Sequence, residues 1–543
     1  MTKNNNFSNN PIFEKNENLK NFFLKNSYLH ITIIIIISIS LKLYYVNFEI
    51  PFALDSLEYF IYAFDSSILG HLPESYAPVN NGWPGFVSIF FSIFEFDNPI
   101  SYMQLQKLIS ITISTLTIIP VFLLCKKFFN KKFSLVGASI FAFEPRIIQN
   151  SIEGITEPLF IFLVAITLVM FLSENKKIMY GSFGIISLGT MVRSEGIMLF
   201  FVISIIFFIK YRQSWSTIPK YIPAALIFIL ILLPMSTYRT EVNDNDGVFG
   251  RIIDVITVYI LTNSQNDQQW NELSLPEQQI VDKNNNKTNL ITTGIENYLK
   301  YFIWILIPIF ILAVPIGIIL IFKNLNYKKL TIIFSIIGLS IPIFYAYSIS
   351  IMDTRYLYVL YPMLAVISIF TVERFLQKNN YKNIILVILV SGILITSISF
   401  LEIKKIDVEH EKDAFEIAKY IVRHTTVVNS YSPESQYIKV AEVFRDWPSI
   451  PIHTSDGHFE VIMTRISTNG FESIDEFIKN SKNQGLSHIV IDNNSNRPDF
   501  LKDIFKTENS SYLIKEYDSK EDGNLNYHVK IFKINYEEFD KRK

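Results

Sequence analysis

The sequence predicts an α-helical polytopic membrane protein of about eleven transmembrane helices, with a C-terminal extracytoplasmic α/β domain. Three observations predict it. Half of the 543 residues are hydrophobic, 46 are Phe and the mean hydropathy is +0.28, a composition too apolar and aromatic for a soluble chain of this length. The apolar residues fall in blocks of about 18–25, the length a helix needs to cross roughly 30 Å of hydrocarbon. Beyond residue 402 the blocks stop, and helical periodicity alternates with short apolar strands.

Residues 1–26 are rich in Asn and Lys and read as a disordered cytoplasmic arm. Spans follow near 28–47, 99–125, 133–150, 156–173, 178–192, 195–211, 219–237, 298–322, 329–349, 354–374 and 383–401. The first is not a cleavable signal, because it starts beyond residue 26, is long, and lacks a small-residue cleavage site. The connections "KKFFNKK" (126–132), "ENKK" (174–177), "KYRQ" (210–213), "KNLNYKK" (323–329) and "ERFLQKNNYK" (373–382) are all basic, and eleven alternating spans put them on one side. The positive-inside bias makes that side cytoplasmic. A membrane domain of residues 27–402 then carries a first outer loop at 48–98 and a long outer loop at 238–297. In the tail, 403–543, "DAFEIAKYIV" and "SIDEFIKNSKNQ" read as helices, and "SHIVID" and "YHVKIFKI" as strands. One cysteine, Cys125, excludes disulfides and Cys-based zinc sites, and a net charge of −1 speaks against a nucleic-acid partner. The partners implied by the spans themselves are membrane lipids.

The candidate chemistry lies in the outer loops. "EIPFALDSLEYFIYAFD" (49–65) places Asp55 and Glu58 directly after the first span, with no lysine or arginine nearby. In a helix Asp55, Glu58 and Tyr62 share a face, and an idle charge at the membrane edge is costly. Asp65 and Glu74 read as members of a solvated acidic loop. The short outer turns contain arginine against the positive-inside bias: Arg146 in "FEPRIIQNSIEG", Arg193 in "VRSEG" and Arg355 in "MDTRYLYVLYP". A guanidinium fork suits phosphate oxygens. Each arginine also stands beside a carboxylate (Glu144, Glu195, Asp353), so an ion pair capping a helix end is the competing reading. A carboxylate and arginines on one membrane face suit transfer of a sugar from a polyprenyl phosphate, with Asp55 as base and Arg355 stabilising the departing phosphate. The competing class, a transporter or flippase of a lipid-linked or anionic substrate, predicts charges at span centres and paired Gly/Pro breaks in two halves. No internal repeat is evident. "HTSDGH" (His453, Asp456, His458) has a spacing compatible with metal but reads as a polar loop. Sequons stand at Asn286 and Asn509.

Four ordered patterns carry a family resemblance. They are "LDSLEYFIYA" followed by "NNGWPGFVSIFFSIF", then "EPRIIQNSIEGITEPLFIFL", then "VRSEGIMLF", then "DTRYLYVLYPML". The chain resembles GT-C superfamily membrane glycosyltransferases, in the protein mannosyltransferase and aminoarabinose transferase-like branch. That resemblance implies a polyprenyl (dolichyl-type) phosphate sugar donor, a protein, lipid or lipid-linked glycan acceptor, and inversion at the anomeric carbon. It aligns Asp55 with the catalytic carboxylate of the first loop; Glu58 departs from the family's adjacent acidic pair, because Ser56 and Leu57 intervene. Glu153 and Glu157 become second-loop acidic residues that orient acceptor or donor, and Arg193 and Arg355 face the lipid phosphate; Arg146 joins the phosphate-binding candidates through its outer turn, not through the resemblance. The resemblance is compatible with a divalent ion at Asp55 and Glu157, since some relatives use one, and equally with none. The tryptophan-rich "WWDYG" segment of oligosaccharyltransferase relatives is missing, so en bloc glycan transfer to asparagine is not expected.

Overall fold

The computed structural model describes residues 27–543 except 75–76, 79, 212–216, 244–287, 378–379, 430–435, 446, 448–462, 469, 494–497, 509 and 543. The arm 1–26, most of the long loop 238–297, Asn286, Asn509 and "HTSDGH" lie outside the described residues.

The chain divides into two compact units, one of residues 1–45, 110–152 and 156–403, the other of residues 46–109, 153–155 and 404–543. Among the described residues the first is all helical. It contains α1 (Ser27–Tyr45), the second part of α4 (Pro99–Leu116), α5 (Ile118–Cys125), α6 (Lys131–Ala142), α7 (Pro145–Ser151), α8 (Glu157–Phe171), α9 (Lys176–Val192), α10 (Gly196–Lys210), α11 (Thr217–Asn243), α12 (Thr288–Leu306), α13 (Ala313–Ile321), α14 (Tyr327–Ser348), α15 (Tyr361–Leu376) and α16 (Lys382–Ile403). Every segment expected to span is helical in whole or in part, and among the described residues five helical stretches are long and apolar enough to cross a membrane: Pro99–Cys125, Thr217–Val242, Tyr327–Ser348, Thr354–Leu376 and Lys382–His424. Leu29–Tyr45, Glu157–Phe171 and Gly196–Lys210 are equally apolar but shorter.

The 99–125 span is divided only at Thr117, and three other expected spans are interrupted, each for a local reason. The 133–150 segment breaks at Glu144, whose carboxylate accepts from the Arg146 amide as an N-cap while Pro145 opens α7. The 298–322 segment breaks around Pro308, between α12 and α13. The 354–374 segment begins as a 3₁₀ helix, Thr354–Leu360, capped by Asp353 accepting from the Arg355 amide at 2.8 Å. These turns carry the arginines. Within this unit α9 packs on α8 and α11, α10 on α14, and α13 on α15.

The second unit joins α2 (Leu54–Leu69), α3 (Gly82–Phe91) and the first part of α4 to the tail. The tail comprises α17 (Val408–His424), β1 (Val427–Asn429), α18 (Ile438–Arg445), β2 (Thr464–Ile466), α19 (Ile474–Ser481), β3 (His488–Asp492), α20 (Asp499–Thr507), β4 (Leu513–Asp518), β5 (Val529–Ile534) and α21 (Tyr536–Asp540). The sheet order is β2-β1-β3-β5-β4, parallel across the first three strands and antiparallel across the last two. Strand β3 is buried along its whole length, as expected of a strand covered on both faces. Phe477, Ile478, Ile489, Ile491, Leu501 and Phe532 form the core. Three-residue β1 and β2 carry no alternation to read, and β4 (LIKEYD) has three successive exposed residues at its centre, so the sequence revealed only β3 and β5.

Candidate active site

Helix α2 explains how Asp55 and Glu58 stay at the surface of an apolar loop. Leu57, Phe60, Ile61 and Phe64 repeat at helical spacing and are buried, leaving Leu54, Asp55 and Glu58 exposed on the first turns. Tyr62, expected on the same face as the carboxylates, is fully buried and receives the Asn81 amide at 3.4 Å. Asp65, expected in solvent, is also buried at 1 % exposure, because the second half of α2 is enclosed on all sides. Leu54 has φ +50 immediately before Asp55. A bulky side chain in the left-handed region costs about 1–3 kcal/mol and persists only where its surroundings impose it. Here Pro51 and Phe52 are buried, and the Phe52 amide points to the Met103 sulfur. The strained residue presents the Asp55 turn.

The second-loop turn is pinned to the same unit. The Gly154 carbonyl accepts from the indole of Trp83 at 2.9 Å and the Gln106 amide at 2.7 Å. Glu153, next to it, is exposed. Gly154 has φ +71, and a Cβ there would lie 2.7 Å from the Phe52 ring. Gly154→Ala is therefore expected to destabilise the chain by about 1–3 kcal/mol from backbone strain alone, read as a lower unfolding midpoint. Adding Phe52→Leu relieves the clash but not the strain, so recovery is partial.

Counter-ions for the first loop come from the tail, within the same unit. Lys412 on α17 pairs with Glu49, and Lys439 on α18 lies 3.3 Å from Glu58. Trp447 packs on Phe64 at 4.4 Å between ring centroids, and its indole donates to the Asp97 carbonyl at 3.2 Å. Lys107 donates to the Asn47 and Ile50 carbonyls, both at 2.7 Å, tethering the exit from α1. Lys107, Lys412 and Lys439 were not singled out in the sequence. Lys107 had a signal, a lone cation inside an apolar helix; Lys412 and Lys439 had none.

The arginines belong to the other unit. Arg193 and Arg355 line one narrow cleft, together with Glu157, Glu195 and Tyr356 and an apolar wall of Phe160, Ile161, Leu339, Ile343 and Val359. Arg193 is buried. Its guanidinium meets Glu157 at 2.5 Å and Glu195 at 2.8 Å, and stacks on Tyr356 at 5.2 Å. Arg355 meets Asp353 at 2.6 Å, but its side chain keeps 30 % exposure. All three sequence-adjacent ion pairs thus form. Arg146 is the most enclosed of the three. It is buried, meets Glu144 at 3.2 Å, donates to the carbonyls of Trp304 (2.8 Å) and Ile307, and stacks on Phe400. Both terminal nitrogens of Arg146 are thus engaged by protein acceptors.

The Glu157 carboxylate is already engaged by protein donors. Glu157 is committed to Arg193 through Oε1 and receives the Thr156 hydroxyl on Oε2 at 3.3 Å. Among the described residues no group of three or more His, Cys, Asp or Glu gathers as a metal site.

Comparison with solved structures returns the same architecture at low sequence identity. ArnT from Cupriavidus metallidurans bound to undecaprenyl phosphate aligns with TM-score 0.55 and 10 % identity, over 92 % of this chain and 97 % of that one. The Archaeoglobus fulgidus oligosaccharyltransferase, in complex with Zn and sulfate, aligns with TM-score 0.52 and 12 % identity, over 85 % of this chain and 68 % of that one. The archaeal oligosaccharyltransferase AglB from the same organism, with an inhibitory peptide and a dolichol-phosphate, aligns with TM-score 0.51 and 11 % identity, over 86 % and 69 %. The fold is therefore one shared with these membrane glycosyltransferase structures. More narrowly, a model of the dolichyl-phosphate-mannose-protein mannosyltransferase family matches residues 84–238. A search of curated protein sequences returned no match.

Proposed function

We propose that this protein transfers a sugar from a polyprenyl (dolichyl-type) phosphate to a protein, lipid or lipid-linked glycan acceptor, with inversion at the anomeric carbon. The observation that carries the reading is the cleft of Arg193 and Arg355, where a half-exposed guanidinium stands at the edge of an apolar wall. That combination matches an amphiphile with one phosphate and a long hydrocarbon tail. The two relatives solved with undecaprenyl phosphate and dolichol-phosphate support the donor class.

In this reading Asp55 accepts the proton of the acceptor hydroxyl while its oxygen bonds to the anomeric carbon, and the bond from that carbon to the phosphate oxygen breaks. The phosphate leaves with the electron pair, and Arg355 exchanges part of its contact with Asp353 for the phosphate oxygens. Arg193, held between Glu157 and Glu195, keeps the cleft in shape and adds positive charge. Glu58 and Glu153 serve the acceptor. The membrane plan that goes with this has eleven crossings within residues 27–402, a cytoplasmic N-terminal arm, and residues 403–543 on the outer face.

The test offers the purified full chain a panel of radiolabelled polyprenyl-phosphate sugars and a membrane acceptor extract. Transfer by the wild type is expected, with kcat/KM lower by on the order of 10²–10³ in Arg355→Ala, as for loss of one charge-stabilising donor, and a smaller loss in Arg355→Lys. Full activity in Arg355→Ala would remove the cleft from the mechanism. No transfer from any donor would favour the transporter reading.

A further inference from the structure

At the far end of α8, α9, α10 and α14 from the arginine cleft, three lysines from three different connections converge. Lys127 follows α5, Lys210 ends α10 and Lys328 lies in the first turn of α14. One carboxylate, Glu174 between α8 and α9, faces them: Lys328 lies 3.5 Å from it, and Lys127 and Lys210 are within its electrostatic reach and that of each other. Helices of 15–17 residues at about 1.5 Å per residue separate this cluster from Arg193 and Glu195 by roughly 22–26 Å, close to the thickness of a hydrocarbon core.

The positive-inside bias accounts for lysines in these loops but not for their convergence. Drawing like charges together is costly, and Glu174 answers only one of the three. Two tyrosines close the cluster: the Lys210 ammonium lies 4.9 Å from the Tyr327 ring and 5.6 Å from the Tyr211 ring, and the Tyr327 hydroxyl donates to Glu174 at 3.3 Å. Beside them Phe208, Ile209, Phe322 and Leu325 are exposed. Cations, interfacial aromatics and exposed apolar side chains at one level form a surface for a molecule with an anionic head and acyl chains.

We propose that Lys127, Lys210 and Lys328 bind the phosphate of an anionic phospholipid in the leaflet opposite the arginine cleft. The site is independent of sugar transfer and stands whether or not that reading holds. Glu174 and the tyrosines orient the ammonium groups, and the apolar side chains receive the acyl chains.

The test reconstitutes the full chain in nanodiscs of mixed phosphatidylcholine and phosphatidylglycerol, and measures the lipid retained after transfer to detergent. The wild type is expected to retain phosphatidylglycerol over phosphatidylcholine by on the order of tenfold, with a preference that falls as salt rises. The Lys127→Gln/Lys210→Gln/Lys328→Gln variant should lose the preference, and the triple Arg variant should keep it. Lys210→Gln alone, a milder change for folding, should weaken it. Lys176→Gln/Lys177→Gln, outside the cluster, should leave it unchanged. Equal retention of both lipids by the wild type overturns the proposal without any variant, and so does a preference that survives the Gln substitutions. Displacement by glycerol 3-phosphate at equal concentration would make the ligand a soluble phosphate and overturn the lipid assignment.

Discussion

Asp55→Asn is expected to lower sugar transfer by about 10²–10⁴-fold, the usual range for loss of a positioned general base, while the chain stays folded and still binds its donor. The substitution preserves shape, and Asp55 is exposed in the first turn of α2, so no buried packing is disturbed. The strained Leu54 backbone is set by buried Pro51 and Phe52 and persists in the variant. The measurement pairs single-turnover transfer with donor binding and an unfolding midpoint. Loss of turnover with binding intact assigns the step to Asp55. Unchanged turnover would move the base to Glu58 or Glu157. Of these Glu58, paired with Lys439 at the surface, is the easier to release, because an exposed ion pair is worth about 0–1 kcal/mol.

The largest stability effect is expected at Arg146. Arg146→Ala should destabilise the protein by about 3–5 kcal/mol, because removing one partner of a buried ion pair leaves an uncompensated charge. Glu144 is fully buried, one of its oxygens has no hydrogen-bond partner, and the other is shared between Arg146 and the Tyr361 hydroxyl. The carbonyls of Trp304 and Ile307 lose their donors as well. Unfolding in a denaturant series would show it, and Glu144→Gln/Arg146→Ala should recover part of the loss by removing the stranded charge. A change below ~1 kcal/mol in Arg146→Ala would mean that the pair is already solvated and its capping role weak. Arg355→Ala breaks a pair with 30 % exposure on the arginine side and should cost stability little. Two arginines that look alike in the sequence thus separate cleanly, one by stability and the other by turnover.

Much of the fold was legible because its signals are local. A span announces itself by twenty apolar residues in a row, and all eleven expected segments are helical in whole or in part. Strands β3 and β5 showed as short apolar runs. The interruptions at Glu144–Pro145, Pro308 and Asp353 were less visible, since a capping carboxylate acts through one hydrogen bond and leaves the apolar average almost unchanged. The three-residue strands β1 and β2 are held by partners distant in sequence and carry no pattern of their own.

What the sequence determined by itself was the class of molecule, the acidic first turns of the outer loop and the three arginine–carboxylate neighbours, because each depends on residues within a few positions of one another. Only the tertiary structure decided which arginine lines a cleft and which is locked in the packing, since burial and carbonyl partners come from helices far along the chain. The same holds for Asp65, whose charge reads as solvated until the enclosure of α2 is seen. It holds too for Glu49 and Glu58, whose counter-ions, Lys412 and Lys439, stand more than three hundred residues away. Charge type is written in a residue; its partner and its solvent are properties of the fold.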